Sequence, residues 1–318
     1  MSFVEINKIS KNYGSHKAVL ETSFTIEKGE LFGVIGPDGA GKTTLFRILT
    51  TLLLADSGFA TIAGFDILKD YKKIRQIAGY MPGKFSLYQD LTVEENLAFF
   101  ATIFGTTIKE NYELIKDIYI HIEPFKNRQA GKLSGGMKQK LALSCALIHK
   151  PEILILDEPT TGIDAVSRKE FWDLLRNFKN MGITIIVSTP YMDEASMCDR
   201  VALMQEGKIM QINSPQNIIK EYKPFLISIK SNNMHKLCED IRQFRKNCTT
   251  FLFGQTIHLS SEEIFNKKEL MNFIELKGHS GIKIEDCIPT IEDCFCVKFH
   301  LIPRRGSIAK VLFRKNCW

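Results

Sequence analysis

The chain has 318 residues, a formal net charge of +6 at pH 7, 44% apolar and 25% charged residues. Those proportions exclude a disordered or fibrous chain, and the length predicts one large domain with a smaller companion. The charge says little about nucleic acid, because Arg304, Arg305, Lys310, Arg314 and Lys315 in the acid-free ending LIPRRGSIAKVLFRKNCW supply +5 of it and leave +1 for the remainder.

The opening MSFVEINKISKNYG has no basic segment followed by an apolar run, and about 18 consecutive uncharged apolar residues occur nowhere, so neither a signal peptide nor a membrane span is expected. Eight cysteines follow no regular framework. With no export signal they read as reduced thiols of a cytoplasmic protein.

From residue 3 to about 220, short apolar strands alternate with helical patterns: LFGVIG, then TTLFRILTTLLL, later ILILD and ITIIVS. The alternation predicts an α/β fold with a largely parallel sheet covered by helices. Helices dominate the stretch from 85 to 150. There Thr92 and Glu95 have capping-box spacing, Val93, Leu97, Phe100 and Phe104 share a helical face, and Gly105 is placed to stop the helix. VALMQEGKIMQI predicts a hairpin around Glu206 and Gly207. After Pro224 come a strand in FLISIK, a helix in HKLCEDIRQF, a hairpin around Gly254, a helix in KKELMNFIELK and a strand in GIKIED. That β-α-β-β-α-β order predicts a small α+β, ferredoxin-like unit. The expected divisions are therefore a main domain over 1–222, an accessory domain over 223–300 and a basic tail over 301–318, read as a solvated end.

Three motifs carry chemistry. GPDGAGKTT comprises Gly36, Pro37, Asp38, Gly39, Ala40, Gly41, Lys42, Thr43 and Thr44, follows an apolar strand and satisfies G-x-x-x-x-G-K-[ST]. Its glycines let backbone amides curl round phosphate oxygens, Lys42 neutralises terminal-phosphate charge, and the Thr43 hydroxyl reaches Mg2+. In KLSGGMKQK, Ser134 caps a helix while Gly135 and Gly136 let backbone donors approach an anion, a second phosphate-facing device in one chain. In ILILDEP, a buried strand delivers Asp157 as a support for Mg2+ and Glu158 as the general base that polarises an attacking water.

In this order the motifs closely resemble Walker A, the signature and Walker B of the ATP-binding subunits of ABC transporters, over about residues 3 to 220. TTGIDAVSR, Thr160 to Arg168, resembles the loop that crosses their dimer interface. The resemblance implies a P-loop NTPase fold in which two such domains sandwich two ATP molecules, each held by Walker A of one subunit and the signature of the other. It implies that Tyr13 in SKNYGSHKAV stacks on adenine. CIPTIEDCFCVKF resembles the end of an extension found among drug- and antibiotic-exporter ATPases, which points to export. A membrane-spanning subunit and a second ATP-binding subunit are the implied partners, at the cytoplasmic face of the membrane.

Two positions depart from the family pattern. Gly83 in YMPGKFSLYQD stands where glutamine is common, and Pro190 in IIVSTPYMDEA stands where histidine is common. Neither side chain can replace the lost contacts to water, magnesium or terminal phosphate. If each contact acts only in the transition state, its loss costs about 3 kcal/mol, on the order of a hundredfold in rate. The expectation is an asymmetric pair: this chain's own site hydrolyses slowly, with Gln89 as a weaker substitute, while its intact LSGG completes the site of a different, consensus ATPase. A homodimer is the alternative.

A regulatory module that binds ATP with little hydrolysis is a rival reading, favoured by Gly83 and Pro190 and opposed by Glu158. An ABC ATPase acting on ribosomes or DNA is another, but the paired ATPase domains or long coiled coils of such proteins are not present here. Cys287, Cys294, Cys296 and His300 have no common structural-zinc spacing and read as ordinary side chains.

Overall fold

A computed structural model of the protein describes residues 2–244 and 248–298, so His300 and the basic tail over 301–318 lie outside the described residues. The chain divides into two compact units between Ser214 and Pro215.

In the first unit, β1 (Ser2–Tyr13) and β2 (His16–Glu27) form an antiparallel hairpin, and β3 (Leu31–Ile35), buried throughout, leads into the glycine-rich loop and α1 (Lys42–Leu49). There follow β4 (Ser57–Ile62), β5 (Phe65–Asp66), α2 (Tyr71–Ile77) and β6 (Ala78–Met81). The helical stretch contains α3 (Val93–Ile103), α4 (Tyr112–Tyr119) and α5 (Gly135–Leu147). The unit ends with β7 (Ile153–Asp157), α6 (Ala165–Asn180), β8 (Thr184–Thr189), β9 (Arg200–Gln205) and β10 (Lys208–Asn213).

These strands make two sheets. One has the order β10-β9-β3-β8-β7-β6 and is parallel except for β10. Its central strands β3, β7 and β8 are buried at every position, as expected of a parallel sheet covered on both faces. The other sheet, β2-β1-β4-β5, is antiparallel, and the sequence pattern gave no sign of it because pairing between distant strands leaves no local periodicity. Leu45, Phe46, Ile48 and Leu49 of α1 share one cluster with Val4, Ile6 and Ile26 of that sheet and Phe32 and Val34 of the parallel one. Each large side chain so buried contributes about 1.5–3 kcal/mol of gross stabilisation, which fixes the helix that opens at Lys42.

That helix stops sooner than the apolar run TTLFRILTTLLL suggests. The Thr50 hydroxyl donates back to the Phe46 carbonyl at 2.9 Å and Thr51 turns to φ 60°, leaving Leu52 and Leu54 exposed. At α3 the capping box closes, with Glu95 N donating to Thr92 Oγ1 at 3.2 Å and Thr92 N to Glu95 Oε2 at 2.7 Å. Gly105 has φ 69° just past the end of the same helix.

The second unit begins with α7 (Pro215–Lys220), then β11 (Phe225–Lys230), α8 (Met234–Ile241), β12 (Cys248–Phe253), β13 (Thr256–Ser261), α9 (Lys267–Leu276), β14 (Lys283–Asp286) and α10 (Ile291–Lys298). Its sheet, β12-β13-β11-β14, is antiparallel throughout, which is the ferredoxin-like strand order. Ile227, Ile229, Leu237, Ile257, Leu259 and Ile274 form its core. Helix α7 packs on α10, and the Cys294 thiol faces the Ile218 carbonyl at 3.6 Å, so the division falls before this helix rather than at 222. No helix among the described residues is long and apolar enough to cross a membrane.

Candidate functional site

The glycine-rich loop is held between two other segments. A Cβ on Gly36 would lie 2.1 Å from the Met204 carbonyl oxygen, and one on Gly41, where φ is 102°, would lie 2.2 Å from that of Ala18. Only glycine fits either place. Gly207 N donates to the Ala40 carbonyl at 2.9 Å and ties the loop to the β9–β10 turn. No side chain caps the N-terminus of α1, so its first amides remain available to an anion. Lys42, 3% exposed, opens that helix and turns its Nζ back to donate to Gly36 O at 2.8 Å and Pro37 O at 3.1 Å. Asp38 lies on the exposed side of the loop.

The buried strand β7 carries Asp157 to its end at 2% exposure. Ser188, its register partner on β8, donates from Oγ to Asp157 Oδ1 at 2.5 Å and accepts from Glu158 N at 3.0 Å. One hydroxyl thus holds both acidic residues. Ser188 is absent from the sequence reading, although a polar residue in the apolar run ITIIVS at the sheet end bearing Asp157 was a signal. Glu158 sits at φ 50°, a conformation uncommon for a non-glycine residue, and its Oε1 is 3.2 Å from Lys42 Nζ. Burial pushes the Tyr80 hydroxyl up to about 12, helped by nearby Asp157 and opposed by Arg47, so the phenol stays protonated.

A cavity of about 210 Å³ joins these parts: Tyr13, His16, Ala18, Gly39, Ala40, Gly41, Lys42, Thr43, Thr44 and Glu158 line it. Tyr13, 46% exposed, is brought there by the β1–β2 hairpin, where His16 is its cross-strand partner. His16 was not singled out in the sequence; its signal was its place three residues after Tyr13 in a tight turn.

Gly83 lies beside the acidic pair, with Asp157 O 3.1 Å from the place a Cβ would take. Gln89 does not stand there. Its carbonyl accepts from Gly131 N at 2.9 Å and its side chain lies against Gly131, in the turn before the signature segment, so it is not the substitute the sequence suggested. Pro190 follows directly on Thr189 at the end of β8.

Ser134 caps α5, accepting from Met137 N at 3.3 Å. A Cβ on Gly135 would be 3.3 Å from Gly162 O, and one on Gly136 3.1 Å from Ser167 Oγ. The signature glycines therefore pack on the segment after the acidic pair and do not line the cavity of their own chain. Lys140 on α5 donates to Glu170 on α6 at 2.9 Å and holds the two helices in that register.

The donor set suits Mg2+. The Thr43 hydroxyl and the Asp157 carboxylate would offer hard oxygen donors, and no cluster of three or more His, Cys, Asp or Glu among the described residues could cage a metal ion alone. A site with one carboxylate, one hydroxyl and substrate phosphates to complete the shell is how magnesium is commonly held.

A second cavity, of about 660 Å³, opens between the sheet and the helical segment, where Arg47, Leu52, Tyr80, Phe100, Ile103 and His149 are among its lining residues. Leu52 and Ile103 are 57% and 58% exposed at its edge.

The family profile described as ABC transporter matches residues 19–161. A protein of Escherichia coli (strain K12) named probable multidrug ABC transporter ATP-binding protein YbhF is 36% identical over 299 residues, covering 92% of this chain and 51% of that protein. The chain thus spans about half the length of this relative. Nod factor export ATP-binding protein I of Rhizobium sp. (strain N33) is 32% identical over 300 residues, covering 92% of this chain and 95% of that protein. Among solved structures, cbiO1 from Clostridium perfringens, part of the ABC transporter complex cbiONQ, superposes with a TM-score of 0.61 at 28% identity, over 69% of this chain and 91% of that one.

Proposed function

The chain belongs to the ABC transporter family, and on that premise we propose that it is the ATP-binding and ATP-hydrolysing energy-coupling subunit of a membrane exporter. The observation that carries the proposal is the single cavity that Tyr13, the phosphate loop and Glu158 share. In this reading the nucleotide base stacks on Tyr13 and the phosphates settle into the loop. Lys42 leaves the Gly36 and Pro37 carbonyls and Glu158 for the terminal phosphates. Glu158, released from the lysine, polarises the attacking water. Thr43 and Asp157 would hold magnesium, which when bound would supply positive charge beside the phosphates.

Export is supported by the names of the two relatives, one a multidrug protein and the other a Nod factor export protein, with the transported substrate of this chain left to its membrane subunit. The mainly apolar groove beside Leu52 and Ile103 suits a segment of a membrane-spanning partner at the cytoplasmic face. The signature glycines, turned away from their own cavity, suit the phosphates of a second ATP-binding subunit. Gly83 and Pro190 support an asymmetric pair in which a different, consensus cassette cleaves faster at the site this chain's Ser134, Gly135 and Gly136 complete. The same two residues favour the second reading, a regulatory ATP-binding module, against which Glu158 stands.

The test is recovery of the full chain with its membrane complex from the native host, followed by single-turnover hydrolysis with and without the copurified cassette. Two different cassettes and slow cleavage at this chain's own site are the expected result. An ATP-dependent homodimer of this chain alone, with vigorous turnover abolished by Glu158→Gln, would refute the asymmetric pair.

A further inference from the structure

The first unit buries a carboxylate that neither the phosphate loop nor the acidic pair uses. Glu194 lies in the 3-10 turn Asp193–Met197, is 2% exposed, and has both carboxylate oxygens buried without a hydrogen-bond partner. Groups from three other segments converge on it. Thr160, fully buried, belongs to the turn after Glu158; Arg168 and Trp172 lie one helical turn apart on α6; Thr189, fully buried, ends β8. Arg168 Nε is 3.6 Å from Glu194 Oε1, beyond hydrogen-bond distance. Arg168 Nε, Thr160 Oγ1 and Trp172 Nε1 are themselves buried with no hydrogen bond. Burial pushes the Glu194 carboxyl above its usual range, and Thr189, Thr160, Trp172 and Arg168 oppose that shift.

Such a cluster is a costly way to fill the interior. Each buried polar atom without a partner costs about 1–3 kcal/mol, and a half-satisfied network is worse than an apolar core of the same volume. Nor is Arg168 committed to Glu194 alone, since its guanidinium also stands 3.8 Å from Asp193 Oδ2 and 4.3 Å from the Tyr191 ring.

We propose that Glu194 is a positioning residue of the nucleotide site: its buried carboxylate gathers Thr160, Arg168, Trp172 and Thr189, and thereby sets where Glu158 stands relative to the phosphate loop. The geometry gives it leverage from two sides. Thr160 is two residues from Glu158, whose backbone is held at φ 50°. Thr189 adjoins Ser188, the hydroxyl that holds Asp157 and the Glu158 amide. Pro190, next in the chain, has no polar side chain to orient this segment, and Thr189 Oγ1 accepts from Tyr191 N at 3.0 Å across it.

The proposal rests on the ATPase reading above, and one set of measurements separates the two. Full-length wild type, Glu194→Gln, Glu194→Asp and Trp172→Phe are compared in equilibrium binding of a fluorescent ATP analogue with magnesium and in single-turnover ATP hydrolysis. The expected result is a Kd within about twofold across the set. Glu194→Gln, which keeps the volume and removes the charge, slows cleavage at least about tenfold. Glu194→Asp recovers part of that rate, and Trp172→Phe, which keeps most of the ring volume and loses the N–H, slows it about threefold. A residue that serves only the fold would not split binding from cleavage in this way. Wild type that takes up no ATP, or binds it without cleavage, overturns the ATPase reading itself. Wild type that binds and cleaves ATP, beside a Glu194→Gln chain that cleaves at the wild-type rate or loses binding and cleavage together, overturns the role of Glu194 alone. Should Glu194→Gln not fold, a wild-type rate in Trp172→Phe has the same force.

Discussion

A Cβ placed on Gly83 would stand 3.1 Å from the backbone oxygen of Asp157, the residue whose carboxylate Ser188 holds at 2.5 Å. The segment that lacks glutamine therefore still runs against the acidic strand end, close enough that a side chain there requires a shift of a few tenths of an ångström. Gly83→Gln is expected to raise single-turnover cleavage by about tenfold, short of the roughly hundredfold a fully placed contact would supply. Gly83→Ala, which adds the contact with Asp157 but no amide, is the control and should bring no gain.

Lys42 and Glu158 neutralise each other across 3.2 Å, with Lys42 at 3% exposure. Phosphate must displace that pairing, so Glu158→Gln should bind ATP at least as tightly as wild type while cleaving it on the order of 10²–10⁴-fold more slowly. Lys42→Ala removes the charge that faces the terminal phosphates and should lose binding itself. Fluorescent-nucleotide titration and single-turnover hydrolysis report the two effects separately.

His149 stacks on Phe104 with ring centroids 3.8 Å apart, and burial lowers its pKa from 6.5 to about 4, opposed by the Ala78 carbonyl. As pH falls below about 6.5 the unfolded chain takes up a proton that the folded one refuses until about 4, so stability declines across that window. His149→Phe keeps the stack and removes the titration. Between pH 7 and pH 5 the wild type should lose on the order of 2 kcal/mol more than this variant, read by urea unfolding at each pH.

In the second unit Asp293, 1% exposed, accepts from Thr290 N at 2.8 Å and from Thr290 Oγ1 at 2.7 Å, and its other oxygen is 2.8 Å from His258 Nδ1. One carboxylate thus caps α10 and joins it to β13. Asp293→Ala leaves the buried His258 and the Thr290 cap without their acceptor and is expected to cost about 2–4 kcal/mol. Asp293→Asn, which keeps acceptor capacity, should cost less; differential denaturation of the full chain distinguishes them.

The phosphate loop, the acidic pair, the capping box at Thr92 and the hairpin at Glu206 and Gly207 were legible because each is written in neighbouring residues. So was the β-α-β-β-α-β order after Pro224, whose strands and helices each carry their own period. The antiparallel sheet of β2-β1-β4-β5 was not legible, since β1 pairs with β4 across some fifty positions of sequence and neither strand announces its partner. The early end of α1 was hidden for another reason: an apolar run continues past Leu49, but the Thr50 hydroxyl competes for the helix's own carbonyl.

By itself the sequence determined which groups are available for nucleotide chemistry, Lys42, Thr43, Asp157 and Glu158 among them, because phosphate recognition needs residue types at fixed short spacings. Only the tertiary structure decided their company: Tyr13 and His16 over the loop, Ser188 between the acidic residues, Gly83 against Asp157, Gln89 turned to Gly131, and Glu194 beside Arg168. The reason is register. Asp157 meets Ser188 because β7 and β8 pair at that position, and a slip of one residue would turn the hydroxyl to the opposite face of the sheet. No local pattern encodes such a choice; it is made when the buried strands settle against one another and against the helices that cover them.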